Sequence, residues 1–205
     1  MFKLLILDME PLIFNAEYLP LLAKEVGLEE KVAKITSDGL SGRIEWKVGL
    51  IERIKLLKGI PLDVVKRVAD EIDYTEGIQD VFRYAKEKGI ITAVITGGFR
   101  IQARRIEDEQ GADYILANDL IFKENKLHDV KVYVHANKNN HVNFLKALLG
   151  IDSQDIIAVG EGMNDLTMLK NNFGVGYNPA NERVRKACKV IIEKPIELIH
   201  ILETS

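Results

Sequence analysis

With 205 residues, 47% of them apolar, the chain has room for one domain, or one domain carrying an insertion, and for a sizeable core. Its formal net charge of −3, from 28 basic and 31 acidic residues, leaves no basic stripe and argues against nucleic acid as a partner. No stretch approaches the roughly 18 apolar residues of a membrane span, the first apolar run is too short for a signal-peptide core, and the lone Cys188 has no intramolecular partner. The expectation is a cytoplasmic protein with an inert thiol and no signal for a fixed oligomeric state.

Residues 2 to 7, Phe-Lys-Leu-Leu-Ile-Leu, read as a buried strand, because a short, nearly continuous apolar run suits a parallel sheet covered on both faces. The run stops at Asp8. Glu10 follows two residues later, so extended backbone sends both carboxylates off the strand end on the same side before Pro11 breaks it. Open α/β sheets bind ligands at the carboxyl ends of such strands. Taken alone, though, Asp-Met-Glu-Pro reads more readily as a solvated turn.

The pattern is then helical for about sixty residues. It predicts a helix from about Glu17 to Gly27, a second over 28 to 36, a break at Asp38-Gly39-Leu40-Ser41-Gly42 and an amphipathic helix over 43 to 58. On the last of these, Ile44, Val48 and Ile51 share one side, with Trp46, Gly49 and Arg53 nearly opposite. The second face reads either as an arginine snorkelling beside a core tryptophan or as the roof of a pocket.

After Thr75-Glu76-Gly77 the elements alternate. They run helix 77 to 88, strand 90 to 95 ending in Thr96-Gly97-Gly98, a helix, and a short strand at 113 to 117. A hairpin over 119 to 130 turns at Glu124-Asn125, followed by helix 138 to 149 and strand 156 to 159. Short strands at 173 to 175 and 190 to 192 lie among helices near 181 to 187 and 195 to 203. Alternation of this kind builds βαβ units and a parallel sheet. The expected fold is a doubly wound, Rossmann-like α/β core, residues 1–13 and 75–205, with a helical cap, residues 14–74, inserted after the first strand.

Three strand ends carry polar groups: Asp8 with Glu10, Thr96 with its glycines, and Glu161 with Asp165. Lys138 opens a helix nearby. A carboxylate attacking an anionic phosphate needs a divalent cation and a lysine to neutralise charge. A hydroxyl and free amides at a helix N-terminus, as Thr96-Gly97-Gly98 offers, hold phosphoryl oxygens, and the acids at 8, 161 and 165 are hard ligands suited to Mg²⁺. His135 and His141 flank Lys138 but lack zinc-ligand spacing.

With these motifs in this order, the chain resembles the haloacid dehalogenase superfamily, and within it the phosphoserine phosphatase branch, over nearly its full length. Asp8-Met9-Glu10-Pro11-Leu12 lies on the motif Asp-x-Asp-x-Thr/Val, and Thr96 in Val-Ile-Thr-Gly-Gly-Phe on the second motif. Lys138, followed by Val142 and Leu145, lies on the third. Gly160-Glu161-Gly162-Met163-Asn164-Asp165 lies on Gly-Asp-Gly-x-Asn-Asp. The resemblance implies a Mg²⁺-dependent phosphomonoester hydrolase with an aspartyl-phosphate intermediate: Asp8 as nucleophile, Glu10 as acid and then base, and Thr96, Gly97 and Lys138 on the phosphoryl oxygens. It also implies Asn164 at the substrate, and Asp8, Glu10, Glu161 and Asp165 around the metal. Glu17 would meet a substrate ammonium, with Arg53 and Trp46 at the substrate carboxylate, as phosphoserine or a similar small phosphorylated metabolite requires.

The departures are Glu10 and Glu161 where the family has Asp, Leu12 for Thr/Val, and Arg100 where relatives often carry Asp. Each glutamate arm is longer by roughly 1.5 Å, and a misplacement of about 1 Å can cost on the order of 10²-fold in rate. The alternative expectation is therefore a catalytically weak relative that binds a phosphorylated amino acid or a partner protein.

Overall fold

The structure, a computed structural model, describes residues 2–204. Its strands are β1 (Leu4–Leu7), β2 (Ile91–Phe99), β3 (Tyr114–Lys123), β4 (Lys126–Lys131), β5 (Ile156–Gly160), β6 (Phe173–Tyr177) and β7 (Val190–Ile192). They form one seven-stranded sheet in the order β4-β3-β2-β1-β5-β6-β7, parallel except for β4. β1 is central, with Leu7 opposite Val94 and Val159. Its side chains alternate, Leu5 and Leu7 joining one core cluster and Leu4 and Ile6 the other, which is why the run is apolar at every position.

The core helices are α5 (Ile78–Glu87), α6 (Arg100–Arg105), α7 (Asn139–Leu149), α8 (Leu166–Asn171), α9 (Glu182–Ala187) and α10 (Glu197–Glu203). Between β1 and α5 lie four more helices, which we assign to the inserted cap: α1 (Tyr18–Lys24), α2 (Glu29–Leu40), α3 (Trp46–Leu57) and α4 (Leu62–Glu71). No described helix is long and apolar enough to cross a membrane.

The structure departs from the sequence reading in the cap. α2 runs through the expected break to Leu40, because Asp38 is held by Lys34 at 2.9 Å and Arg43 at 2.7 Å instead of starting a turn. α3 begins at Trp46, capped by the Glu45 carboxylate, which accepts from the amides of Lys47 and Val48 at 3.1 and 3.0 Å. Its buried face carries Gly49, Leu50, Arg53, Ile54 and Leu57, while Val48 is exposed. The helix therefore packs through the side read as a pocket roof. Gly49 permits this: a Cβ there would lie 2.8 Å from Ile44 Cδ1.

The sheet also differs in two places. β3 is one long strand, its first half parallel to β2 and its second half antiparallel to β4, so the separate short strand and hairpin merge. Glu124 and Asn125 form the tight turn with φ of +51° and +56°. β2 continues to Phe99 through a register shift after Ile95, so Thr96, Gly97 and Gly98 lie on an irregular strand and not at a helix N-terminus.

The cap meets the core along three seams. At the hinge, Phe14 pairs with Tyr74, flanked by Asn15 N–H to Asp73 O at 3.0 Å and Thr75 N–H to Ile13 O at 2.8 Å. The Arg105 guanidinium lies 5.2 Å from both of those rings and donates to Ile72 O at 2.7 Å. The α3–α4 connection pairs with the hairpin through Gly59 N–H to Leu127 O and Leu127 N–H to Ile60 O, both 2.8 Å. At the end of α2, Leu40 O accepts from Met163 N–H at 3.1 Å and Ser41 O from Asn181 Nδ2 at 3.0 Å.

Beneath the site, α8 crosses β6 so closely that a Cβ on Gly174 would collide with the Leu169 carbonyl, a backbone atom with little freedom to yield. Gly174→Ala is expected to destabilise the protein by about 1–3 kcal/mol. Urea unfolding checks this, and an unchanged midpoint would refute the packing argument.

Candidate active site

Asp8 leaves the end of β1 with its amide donating to Val159 O at 3.0 Å, which fixes it between β1 and β5. Its Oδ1 accepts from the Met9 N–H at 2.8 Å and pairs with Lys138 Nζ at 2.7 Å. Lys138, immediately before α7, is wholly buried, and its ammonium also meets Asp165 Oδ1 at 2.6 Å. The other oxygen of Asp165 accepts from the amides of Glu161 and Gly162 at 3.1 and 2.9 Å. Gly160 is required by this crossing, since a Cβ there would lie 2.5 Å from Asp165 Cγ.

Thr96 Oγ1 accepts from the Gly98 amide at 2.8 Å. A Cβ on Gly97 would lie 2.8 Å from Trp46 Cζ2, so only glycine lets the cap indole rest on this strand. Behind it, Asn118 on β3 donates to Gly97 O at 2.8 Å and accepts from the amides of Tyr133 and Val134 at 2.8 and 2.9 Å. That side chain joins the Thr96 strand to the segment leading into Lys138.

From the cap, Glu17 sits at the N-cap of α1 without capping it, and its carboxylate lies beside the Glu10 carboxyl and within reach of the Arg53 charge. Arg53 is held by Nε to Gly49 O at 3.1 Å and Nη1 to Thr36 Oγ1 at 3.0 Å. Asp8, Glu10, Glu17, Trp46, Arg53, Thr96, Gly97 and Asn164 all line one cavity of about 50 Å³, room for a few waters. Lys138 and Asp165 lie beneath it. Glu161 lines a neighbouring cavity of about 510 Å³, which shares Glu17, Thr36 and Leu40 with the first.

The site is rich in carboxylates, and burial shifts their protons. Asp8 is pushed upward by burial and then by Asp165, against Lys138. Glu10 is held well above the usual carboxylate range by burial and then by the charge of Glu17. Glu161 rises to about 8 through burial, with Glu17, Asp8 and Asp165 adding to it. Burial opposes the charge on Lys138, but Asp165 and Asp8 outweigh it and raise its pKa. Glu10 Oε1 and both amide atoms of Gln102 are buried without hydrogen-bond partners.

Thr36, Asn118 and Gln102 were not singled out by the sequence reading. Asn118 had a signal, a polar residue within an otherwise apolar strand. The other two lie on helices, where a lone polar residue is unremarkable.

An aspartate at the end of the central strand, a buried lysine paired with it and four helices inserted after that strand define a class, and the comparisons agree with it. The chain belongs to the haloacid dehalogenase-like hydrolases, whose family profile matches residues 22–170. Within that family it stands on the phosphoserine phosphatase branch. It is 35% identical over 171 residues to the phosphoserine phosphatase of Methanocaldococcus jannaschii, covering 82% of this chain and 81% of that protein. To the phosphoserine phosphatase of Lactococcus lactis it is 30% identical over 204 residues, covering 98% and 94%. A substrate-bound phosphoserine phosphatase complex superposes with a TM-score of 0.93 at 31% identity, covering 100% of this chain and 98% of the other. A phospho-aspartyl intermediate analogue of a phosphoserine phosphatase gives 0.92 at 32% identity, covering 99% and 98%.

Because Asp8 and Glu161 hold protons more tightly folded than unfolded, the folded state binds more protons between the ordinary carboxylate range and pH about 8. Stability should therefore fall as pH rises through that window in metal-free buffer. Thermal unfolding from about pH 5 to pH 8 reads it directly. Glu161→Gln, which cannot titrate there, should flatten the decline, and an equally steep decline in that variant would count against the assignment.

Proposed function

We propose that the protein hydrolyses phosphoserine, or a small phosphorylated metabolite with the same ammonium and carboxylate end, through an aspartyl phosphate on Asp8. The observation that carries this reading is one cavity that collects the nucleophile, an acid, and an oppositely charged pair from the cap: Asp8, Glu10, Glu17 and Arg53. The relatives support it through their own named substrate.

Oδ1 of Asp8 is engaged by Lys138 and the Met9 amide, which leaves Oδ2 to attack phosphorus. As the new oxygen–phosphorus bond forms, the ester bond breaks, and Glu10 gives its proton to the departing alkoxide. Its buried setting keeps that proton in place beforehand. The Glu10 carboxylate then takes a proton from water, whose oxygen attacks phosphorus and frees phosphate and Asp8. Lys138, Thr96 and the Gly97 region hold the phosphoryl oxygens; Arg53 takes the substrate carboxylate, with Trp46 against it, and Glu17 the ammonium.

A divalent cation fits this donor set. No three carboxylates among the described residues stand ready as a ligand cluster. Even so, burial and then the charges of Glu17, Asp8 and Asp165 raise Glu161, and hard oxygen donors suit Mg²⁺. Asp8, the Glu10 carbonyl and Glu161 would hold it. Asp165 was expected as a ligand, but its oxygens are taken by Lys138 and two loop amides, so we assign it to positioning the lysine. Bound Mg²⁺ would supply neutralising charge to the phosphoryl oxygens.

Asp8→Asn is expected to abolish turnover while unfolding remains cooperative, because an amide cannot form the phosphoenzyme. Residual activity at the wild-type level would remove the mechanism. Substrate choice has its own test: Arg53→Ala should lose about 30- to 150-fold in kcat/KM on phosphoserine, the cost of an unpaired charged hydrogen bond. It should barely change p-nitrophenyl phosphate hydrolysis. Equal losses on both substrates would reduce the cap pair to a structural contact.

A further inference from the structure

Arg53 recognises a carboxylate only if its planar fork is aimed into the cavity, and a long side chain does not aim itself. Two contacts set that plane, Nε on Gly49 O at 3.1 Å and Nη1 on Thr36 Oγ1 at 3.0 Å. The first comes from the arginine's own helix. The second crosses from α2, and among the described residues it is the hydrogen bond that ties α3's guanidinium to another element.

We infer that Thr36 is a positioning residue for substrate recognition, its hydroxyl orienting Arg53 toward the carboxylate of the substrate; this rests on the role of Arg53 proposed above. Thr36 is suited to the task. Its O–H donates to Val32 O at 3.0 Å, so the hydroxyl proton points away and a lone pair faces Arg53. Both residues are buried, at 5% and 9% exposure, so water does not readily replace either partner. With Nε and one Nη1 hydrogen used, no hydrogen bond from Nη2 is found among the described residues, and the end of the fork remains for two parallel bonds to a carboxylate. Thr36, Arg53 and Glu17 line the same cavity. Without the hydroxyl, the guanidinium is free to swing onto Glu17, and each recognition group then blocks the other.

The test uses the full chain with Mg²⁺, comparing wild type, Thr36→Val and Thr36→Ser on phosphoserine and p-nitrophenyl phosphate. Thr36→Val should raise KM for phosphoserine roughly tenfold, with kcat within about twofold and p-nitrophenyl phosphate kinetics unchanged. Thr36→Ser should restore KM. Nitrogen-15 NMR of the Arg53 side chain gives a readout independent of substrate: separate Nη1 and Nη2 signals in wild type, merged by free rotation in Thr36→Val. An unchanged KM in Thr36→Val, an equal loss on both substrates, or no rescue by serine would overturn the inference. A wild type without preference for phosphoserine would overturn the recognition reading itself. The NMR comparison would then still show whether Thr36 holds the guanidinium, and unchanged signals would reject that as well.

Discussion

The architecture depends on one buried ammonium. Lys138 has no exposed surface, and a lone charge placed there would be too costly to keep. Asp8 at 2.7 Å and Asp165 at 2.6 Å make it tolerable, and Asp165 is in turn fixed by the amides of its own loop. The end of β1, the loop after β5 and the start of α7 must therefore arrive together. Stability does not explain the lysine's position, because a cation at a helix N-terminus opposes the helix dipole, and a buried ion pair is seldom worth more than apolar packing. The arrangement is better explained by what the ammonium does for an anion brought to Asp8.

The cap completes the site by pressing a polar roof onto this floor. Its hinge and its pairing with the hairpin are backbone seams, and the hinge is reinforced by Arg105 between Phe14 and Tyr74. The edge at Leu40 and Ser41 is lighter, two hydrogen bonds to Met163 and Asn181, and those same residues Leu40, Ser41 and Asn181 border the larger cavity. The enclosed space of about 50 Å³ is far below the roughly 300 Å³ at which ligand pockets begin. Leu40 lines both cavities, so this lighter edge borders the space over Asp8 as well as the larger one.

The strand-end motifs were legible in the sequence because their signals are local: an apolar run stopped by Asp8, glycines after Thr96, and Gly160 to Asp165 after a short buried strand. The βαβ alternation was legible for the same reason. What escaped depends on partners distant in the chain. β3 reads as two strands because its halves answer to different neighbours, and β2 runs on past Thr96 because Asn118 holds Gly97 from β3. α3 was expected to be amphipathic with Val48 on its apolar side, but Val48 faces solvent, and the inner side is formed by Gly49, Leu50, Ile54, Leu57 and a hydrogen-bonded arginine. Thr36 looks like any helix-surface threonine until Arg53 arrives from another helix.

The two glutamates that depart from the family pattern are accommodated in different ways. Glu10 keeps its carboxyl in the cavity with Asp8, its Oε1 3.8 Å from the point where Gly98 would carry a Cβ, while the space that this glycine leaves open is filled by Met9 Cε at 2.6 Å. The fully buried Gln102 lies four residues beyond that glycine. Glu161 instead reaches the neighbouring cavity, where burial and the nearby carboxylates raise its pKa to about 8. In the reaction proposed for this site, an acid at Glu10 that keeps its proton beside Asp8 retains the property a leaving alkoxide needs, and one extra methylene does not remove it. The substitution at 10 thus alters reach more than chemistry. At 161, where we propose a cation ligand, the substitution bears on the negative charge of the site before a cation binds, so in the proposed reaction the two departures act on separate steps.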